Sequence, residues 1–209
     1  MSEEKTPPPT GPTAHGGEGK PEAAKAKLDA TDASAHPWVA SIRAAVPDSV
    51  ASAKQFAGQV TVTVAREAAA RVARHLKDAE DFRYCVDVTA VDWKTRQPRF
   101  DVVYHFYSFS KNDRIRIKCG VGEGEEVPSI AAVYLAANWC ERETYDMFGI
   151  RFAGHPDLRR ILTWDGFHGY PLRKDFPVEG IDTGAAIYPE EWPEGGGPSP
   201  DDSNRKVVS

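Results

Sequence analysis

The stretch from Glu141 to Pro177, ERETYDMFGIRFAGHPDLRRILTWDGFHGYPLRKDFP, constrains this chain more than any other part. It begins as the end of a helix and then follows no regular apolar period. Six acidic and six basic residues alternate with large aromatic side chains, which are Tyr145, Phe148, Phe152, Trp164, Phe167, Tyr170 and Phe176. Aromatic groups on irregular backbone must still be buried against something, and Arg with aromatics is enriched at protein interfaces. The stretch therefore predicts a docking surface.

Composition excludes several functional classes. The chain has 209 residues, 26 Lys and Arg against 31 Asp and Glu, and a formal charge of -5, so we expect no nucleic-acid partner. No run approaches the roughly 18 consecutive apolar residues of a membrane span, and the first residues lack the pattern of a signal or transit peptide. We expect one domain with extensions, in a soluble protein made in a bacterial-type cytoplasm.

Cysteines and glycines offer no cofactor site by their spacing. Cys85, Cys119 and Cys140 share no metal-type spacing and have apolar neighbours, so they are interpreted as packed free thiols that bind no iron–sulfur cluster or zinc. The glycines of residues 120–124 follow neither the GxGxxG nor the Walker pattern, and acidic residues surround them. This segment is predicted to be a flexible acidic turn.

Residues 1–36 consist of Pro, Gly, Ala, Glu and Lys with hardly a large apolar side chain, and they are predicted to be a disordered N-terminal tail. A core domain over residues 37–149 follows, opened by a short helix that Pro47 stops. Alternating apolar residues then predict four strands, separated by a helix over 65–77 and by turn-rich segments. The strands lie near residues 59–64, 82–93, 100–106 and 115–121, and we expect the last three to pair antiparallel.

A second long helix is predicted over residues 130–148, with Ser129 as its N-cap and Gly149 as its end. The order β-α-β-β-β-α indicates an α+β fold, with helices on one face of a mostly antiparallel sheet. Residues 150–177 are predicted to be a long irregular docking segment. Residues 178–209 are rich in Pro, Gly and acidic residues and are predicted to be an extended acidic arm with a disordered end.

A helical wheel of the second helix places Glu141 among apolar residues. An unpaired buried charge costs about 3–5 kcal/mol, so we expect a cationic or hydrogen-bonding partner, with candidates in Arg151, Arg159 and Arg160. Arg142 and Asp146, on the opposite side, are predicted to pair across one turn. Buried carboxylates can also signal acid–base catalysis, but Glu141 and Glu143 point in different directions, which favours charge-pair scaffolding.

Two other classes of function are compatible with parts of the sequence. The element order could resemble an RNA-binding module, but the aromatics of the third predicted strand, Phe100, Tyr104 and Phe106, fall on its apolar face and favour a core role. A free-standing metal or acid–base hydrolase would use Glu143, His155 and Asp157. Neither His155 nor His168 has a paired ligand spacing, so we expect no catalytic residue and no metal site in this chain.

The stretch resembles the signature of the C subunit, or 30-kilodalton subunit, family of respiratory complex I, the proton-pumping NADH:quinone oxidoreductase. That signature has Glu-Arg-Glu, an acidic residue three positions on, two apolar residues, a His after a six-residue gap, and a basic-plus-apolar ending. The matching residues are Glu141, Arg142, Glu143, Asp146, Met147, Phe148, His155, Arg159, Ile161 and Leu162. The run from Gly169 to Pro177 is similar to a second family motif, and the resemblance spans residues 38–177.

The resemblance implies a cofactor-free subunit of the peripheral arm, on the cytoplasmic face of the bacterial inner membrane and associated with that membrane only through the complex. It implies the D subunit of complex I as the main partner, near the quinone site, with the B subunit and other peripheral-arm subunits close by. FMN and iron–sulfur clusters are then expected in the partners, and the enzyme activity belongs to the complex. The implied interface residues are Glu141, Arg142, Asp146, His155, Asp157, Arg159, Arg160, Arg173, Lys174 and Asp175.

Two features depart from the family pattern. Tyr170 stands where relatives often have His, and after Pro177 the usual Gly-aromatic-x-Glu-x-Arg continuation is replaced by EGIDTGAAIYPEEWP. Related respiratory and hydrogenase complexes share the signature. The alternative within the family is therefore an equivalent subunit of a plastoquinone-type complex or of a membrane-bound hydrogenase.

Overall fold

The computed structural model describes residues 30–164 and 166–180. The predictions for residues 1–29 and for the arm after residue 180 fall outside these ranges. Residues 30–36, predicted as tail, instead belong to the core, because Thr31 and Asp32 pair with a neighbouring strand and Ala33 is buried. The core therefore begins earlier than residue 37.

Six strands form the main sheet, and they are β1 (Thr31–Asp32), β2 (Val50–Phe56), β3 (Gln59–Val64), β4 (Tyr84–Asp92), β5 (Phe100–Ser108) and β6 (Asp113–Val121). Their order in the sheet is β1-β2-β3-β6-β5-β4. All neighbours are antiparallel except β3 and β6, which are parallel. The predicted α+β class with a mostly antiparallel sheet is confirmed, as is the antiparallel pairing of β4, β5 and β6.

The sheet also contains two strands that the predicted element order lacks, β1 and β2. The sequence of β2, VASAKQF, has Ala53 as its only buried side chain, so its alternation gives almost no apolar signal. A two-residue turn at Ala57 and Gly58, both with positive φ, connects β2 to β3. Such turns match the twist of the two strands that they join.

Within the described ranges, three α-helices pack with the sheet, and they are α1 (Pro37–Ala45), α2 (Ala69–Asp78) and α3 (Ala137–Phe148). A single 3₁₀ turn, Arg66–Ala68, leads into α2. Gly149 ends α3 with φ 75°, as predicted from its sequence. An added Cβ at Gly149 would also lie 2.5 Å from the Tyr170 ring, so both the backbone angle and this contact require glycine.

The start of α3 differs from the prediction, because residues 130–136 form turns and Ser129 does not cap the helix. Ser129 instead follows β7 (Glu126–Pro128), which pairs with β8 (Arg151–Ala153) in a small parallel sheet. Ile130 and Tyr134 are buried, and the Tyr134 hydroxyl donates to the Phe82 carbonyl at 2.7 Å. Packing of these side chains overrides the helical period of the segment.

One face of the main sheet and the inner sides of the helices share a single hydrophobic core. The alternating residues of β5 and β6 that were predicted to share a face are buried there, including Phe100, Tyr104, Ile115 and Ile117. The segment predicted to be irregular over residues 150–177 contains β8 near its start, and beyond β8 the described part of residues 154–180 contains no helix or strand. No helix in the described ranges is both long enough and apolar enough to cross a membrane.

Candidate docking surface

Asp146 organises the beginning of the irregular segment from the C-terminal half of α3. Its fully buried carboxylate accepts hydrogen bonds from the Arg160 guanidinium at 2.8 Å and from the backbone N–H groups of Ile161, Leu162 and Thr163 at 3.0, 2.7 and 2.8 Å. The Thr163 hydroxyl donates to it as well. Burial raises the pKa of Asp146, but the hydrogen bonds outweigh burial and bring this pKa down to about 2. The carboxylate therefore stays ionised and holds residues 160–163 in place.

Arg142 provides the complementary donors. Its Nε and Nη2 atoms donate to the backbone carbonyls of Arg159 and Arg160 at 3.1 and 3.2 Å, and its guanidinium lies over the Trp139 ring at 5.1 Å. The predicted pair between Arg142 and Asp146 is wrong, because each side chain binds the irregular segment instead. Backbone groups outside helices and strands need hydrogen-bond partners when they are buried. Side chains of α3 supply both the acceptor, Asp146, and the donor, Arg142.

Glu141 is also buried, as predicted, but its partners differ from those expected. The Ser129 hydroxyl donates to its carboxylate at 2.6 Å and the Ile130 backbone N–H at 2.7 Å. The arginines proposed as partners bind elsewhere, since Arg160 binds Asp146, while Arg151 lies 3.5 Å from Glu126 and Arg159 2.9 Å from Asp157. Glu141 thus fixes the turn before α3 onto the helix.

His155 lies against the same helix with a fully buried side chain. Its Nδ1 accepts the Asp157 backbone N–H at 3.0 Å, so Nε2 carries the ring proton and donates to the Asn138 carbonyl at 3.1 Å. Both ring nitrogens are thereby engaged, while Glu143 is exposed. The three residues of the hydrolase alternative are not arranged as a site, and within the described ranges no three His, Cys, Asp or Glu side chains cluster to hold a metal.

A second ionic cluster, which we did not predict from the sequence, attaches the end of the irregular segment to the sheet. Arg99 donates to both carboxylate oxygens of Asp92 at 2.9 and 2.8 Å, to Asp175 at 2.9 Å and to Glu123 at 3.2 Å. The Lys174 backbone N–H also donates to Asp92 at 2.9 Å. The hydrogen bonds from Arg99, opposed by burial, hold the pKa of Asp92 well below its usual range.

Arg173 extends this cluster towards α3. Its Nε donates to the Phe148 carbonyl at 2.6 Å and its Nη1 to Glu123 at 2.7 Å. Its guanidinium lies over the rings of Tyr170 at 4.5 Å and Phe100 at 5.3 Å. The aromatic and cationic side chains that predicted a docking surface therefore also attach the segment to its own domain.

Comparison with known proteins decides the family. Residues 62–182 match the protein family described as the respiratory-chain NADH dehydrogenase, 30 Kd subunit. This chain belongs to that family. It is similar to the NADH-quinone oxidoreductase C subunit of Rhodobacter capsulatus, with 55% identity over 136 residues that cover 64% of this chain and 68% of the relative. The protein of the same name in Geobacter sulfurreducens is 48% identical over 136 residues, covering 64% of this chain and 84% of the relative.

A solved structure also has the fold of this 30 kDa family member. It belongs to the membrane-bound sulfane sulfur reductase, an archaeal respiratory membrane complex, and matches with a TM-score of 0.58 and 24% identity over 67% of this chain and 84% of that chain. The family resemblance predicted from the signature residues is confirmed.

The ten residues to which the family resemblance gives interface roles fall into two groups. Six have side chains that bind within the chain and are largely enclosed, and they are Glu141, Arg142, Asp146, His155, Arg160 and Arg173. Four lie exposed, and they are Asp157, Arg159, Lys174 and Asp175. Several large apolar side chains are exposed as well. They belong to α3, to the turn that precedes it and to the irregular segment. We call these residues the α3 surface, namely Leu135, Trp139, Leu162, Trp164 and Leu172.

Glu141 makes the stability of this 30 kDa family member depend on pH. Burial raises its pKa from 4.5 to about 7, against the hydrogen bonds from Ser129 and Ile130. The folded protein thus binds this proton more tightly than the unfolded chain, so stability falls as the pH rises from about 4.5 through 7, in total by about 3 kcal/mol. Glu141→Gln is expected to abolish this pH dependence, as measured by urea unfolding at pH 5 and pH 8. An unchanged slope in the variant would contradict the assignment.

Proposed function

We propose that this chain serves as the C subunit of an NADH–quinone oxidoreductase, with a cofactor-free docking role that supports electron transfer from NADH to quinone. The observation that carries the proposal is the family match over residues 62–182, which includes strands β4, β5 and β6 and the contacts of Asp146 and Arg142 with the irregular segment. Relatives that are 55% and 48% identical bear the name of the NADH-quinone oxidoreductase C subunit. The similarity to the sulfane sulfur reductase chain is 24% and concerns the fold alone, so it does not favour the alternative of another complex.

The geometry suits a rigid docking role. An irregular segment that had to become ordered on binding would lose part of its binding energy to conformational entropy. Here Asp146, Arg142 and Arg99 fix the segment at both ends before any partner arrives. The α3 surface is thereby held ready, with Trp139 and Leu162 each 62% exposed. Aromatic side chains of this kind are the usual energetic centres of interfaces.

The proposed partner at the α3 surface is the D subunit of complex I, with the B subunit and other peripheral-arm subunits nearby. The four exposed charged residues Asp157, Arg159, Lys174 and Asp175 would form the polar rim of this interface, and the six enclosed residues would keep its shape. FMN and iron–sulfur clusters would be held by the partner subunits. The chain would lie on the cytoplasmic face of the inner membrane as a peripheral protein of the complex.

The interface is tested by the double variant Trp139→Glu with Leu162→Glu in the full chain. Because interface aromatics contribute about 2 kcal/mol or more, we expect recovery of the D subunit with the tagged chain to fall by at least about tenfold. The measurement is mass spectrometry of the affinity-purified native complex. Arg74→Glu, an exposed change on α2, is the matched control and should leave recovery unchanged. Undiminished recovery in the double variant would rule out the α3 surface as the interface.

A further inference from the structure

The second face of the main sheet is lined by side chains that no described element covers. Strand pairing aligns them in rows, one of which runs across five strands through Lys54, Thr61, Arg116, His105 and Asp87. Large apolar side chains on this face and at its rim remain exposed, among them Phe56 at 45%, Tyr84 at 50%, Val86 at 52% and Phe109 at 72%. A β-bulge between Cys85 and Asp87 brings Val86 to this face. We call it the open face.

A pocket of about 440 Å³ lies at one end of the open face. Its aromatic wall is formed by Tyr84, Tyr107 and Phe109, whose rings meet edge to face at 4.9 and 5.7 Å between centroids. Two arginines also line the pocket, with Arg116 donating to the Gln59 side chain at 2.7 Å and Arg114 lying over the Tyr107 ring at 5.9 Å. A pocket of this size and lining accepts an apolar side chain next to a negative charge.

The open face is positive although the whole chain carries a formal charge of -5. The charged side-chain nitrogens of Arg114, Arg116, Lys118 and Lys54 form no salt bridge with a carboxylate in the described ranges. The acidic residues of this face are fewer, and they are Asp87 and Asp101, the second of which pairs with Arg96. Burial lowers the pKa of His105, and the charges of Arg116, Lys118 and Arg114 lower it further against Asp87.

We propose that the open face is a second docking surface, occupied by an acidic segment of a partner polypeptide that inserts an aromatic or aliphatic side chain into the pocket. The inner strands β3, β6 and β5 are paired on both sides, so recognition runs through side chains. Carboxylates of the partner would form charge-assisted hydrogen bonds with Arg114 and Arg116. Five strands span about 20 Å, so the open face is wide enough for several contacts with one partner segment.

Nucleic acid fits the open face less well than a peptide. Nucleic-acid bases stack on open ring faces, whereas Tyr84, Tyr107 and Phe109 pack edge to face with one another and Arg114 covers Tyr107. Residues 181–209 of the chain itself are also acidic. The cross-linking experiment below therefore distinguishes this segment from a partner polypeptide.

The proposal is independent of the α3 surface, because the two surfaces use different residues and are tested by different variants. The full chain is labelled with the photo-cross-linker p-benzoylphenylalanine at Tyr84 or Phe109 in cells that assemble the complex, and the cross-linked peptides are sequenced by mass spectrometry. We expect a partner peptide in which Asp and Glu outnumber Lys and Arg. The same label at Arg74 on α2 sets the background. Cross-links to residues 181–209, to nucleic acid or to a basic peptide, or none above background, would overturn the proposal.

Charge reversal tests the electrostatic part. Arg114→Glu with Arg116→Glu should reduce the cross-link yield at Phe109 at least about tenfold, through loss of two charge-assisted contacts. Arg71→Glu with Arg74→Glu changes the net charge equally on exposed positions of α2 and should leave the yield unchanged. Arg114→Gln with Arg116→Gln removes the charge without reversing it and serves if the reversed chain does not fold. An undiminished yield in either folded open-face variant would overturn the proposal.

Discussion

Asp146→Ala is expected to lower the free energy of unfolding by about 3–5 kcal/mol, the usual cost of removing one partner from a buried charge pair. The variant leaves the largely buried Arg160 guanidinium and the N–H groups of Ile161, Leu162 and Thr163 without their acceptor. Urea unfolding gives the free energy. Hydrogen exchange at these three amides shows whether residues 160–163 open before the domain, which we expect because their backbone N–H groups lose their acceptor.

Asp157→Ala is the matched control for this prediction, because Asp157 also pairs with an arginine of the segment but lies on the surface. Exposed pairs contribute about 0–1 kcal/mol, so this variant should be nearly neutral. The pH dependence gives a second readout. Since the pKa of Asp146 falls from 3.8 to about 2, its contribution is present above pH 3.8 and is lost as the pH falls through 2. Equal effects of the two substitutions would show that Asp146 does not hold the segment.

Strands β3, β5 and β6 could be predicted from sequence because each alternates large apolar residues that pack into one core. Val62, Tyr104 and Ile117 are all less than 2% exposed. The signal is local, since a period of two needs only the neighbouring residues. Strand β2 gave no such signal, because few of its side chains pack into the core. Its pairing with β3 depends on backbone hydrogen bonds and on a tight turn. Its existence depends on contacts that a local pattern does not encode.

The contacts of Glu141, Arg142 and Asp146 on α3 could be predicted only in part, for a different physical reason. The helical wheel correctly predicted that Glu141 is buried, because helical geometry fixes which side of the helix each residue faces. It also suggested that Arg142 and Asp146 pair, since residues four apart are neighbours on a helix. In the fold, backbone groups of the irregular segment approach both side chains, and a buried amide or carbonyl needs its partner more than an exposed ion pair does. Irregular backbone follows no sequence period, so the sequence pattern could not predict where this segment lies.

The Asp92–Arg99 pair was missed although a signal existed. Residues 94–98 form a loop between two predicted strands, so side chains next to the two ends of that loop come close together. An acidic residue before such a loop and a basic residue after it predict a cross-strand ion pair. The pattern does not reveal that Asp175 and Lys174, more than 70 residues further along the chain, join the pair. That link depends on the tertiary course of the irregular segment.

Arg99→Met should therefore destabilise the domain and release the end of the segment together. Asp92 is 4% exposed, and it would lose two hydrogen bonds and its counter-charge, at a cost of about 3–5 kcal/mol. Asp175 would lose its only ionic partner in the described ranges. Urea unfolding measures the first effect, and exchange of the Lys174 amide, which donates to Asp92, measures the second. Both should change in the same variant.

Arg96→Met provides the control from the same loop, because Arg96 pairs with Asp101 at the surface and should cost less than about 1 kcal/mol. Adding Asp92→Asn to Arg99→Met closes a double-mutant cycle. The double variant should be less destabilised than the sum of the single variants, since neither charge is then left buried alone. Strict additivity, with a Lys174 amide as protected as in the parent chain, would mean that packing of Tyr170 and Phe176, rather than the buried ion pair, attaches the segment to the sheet.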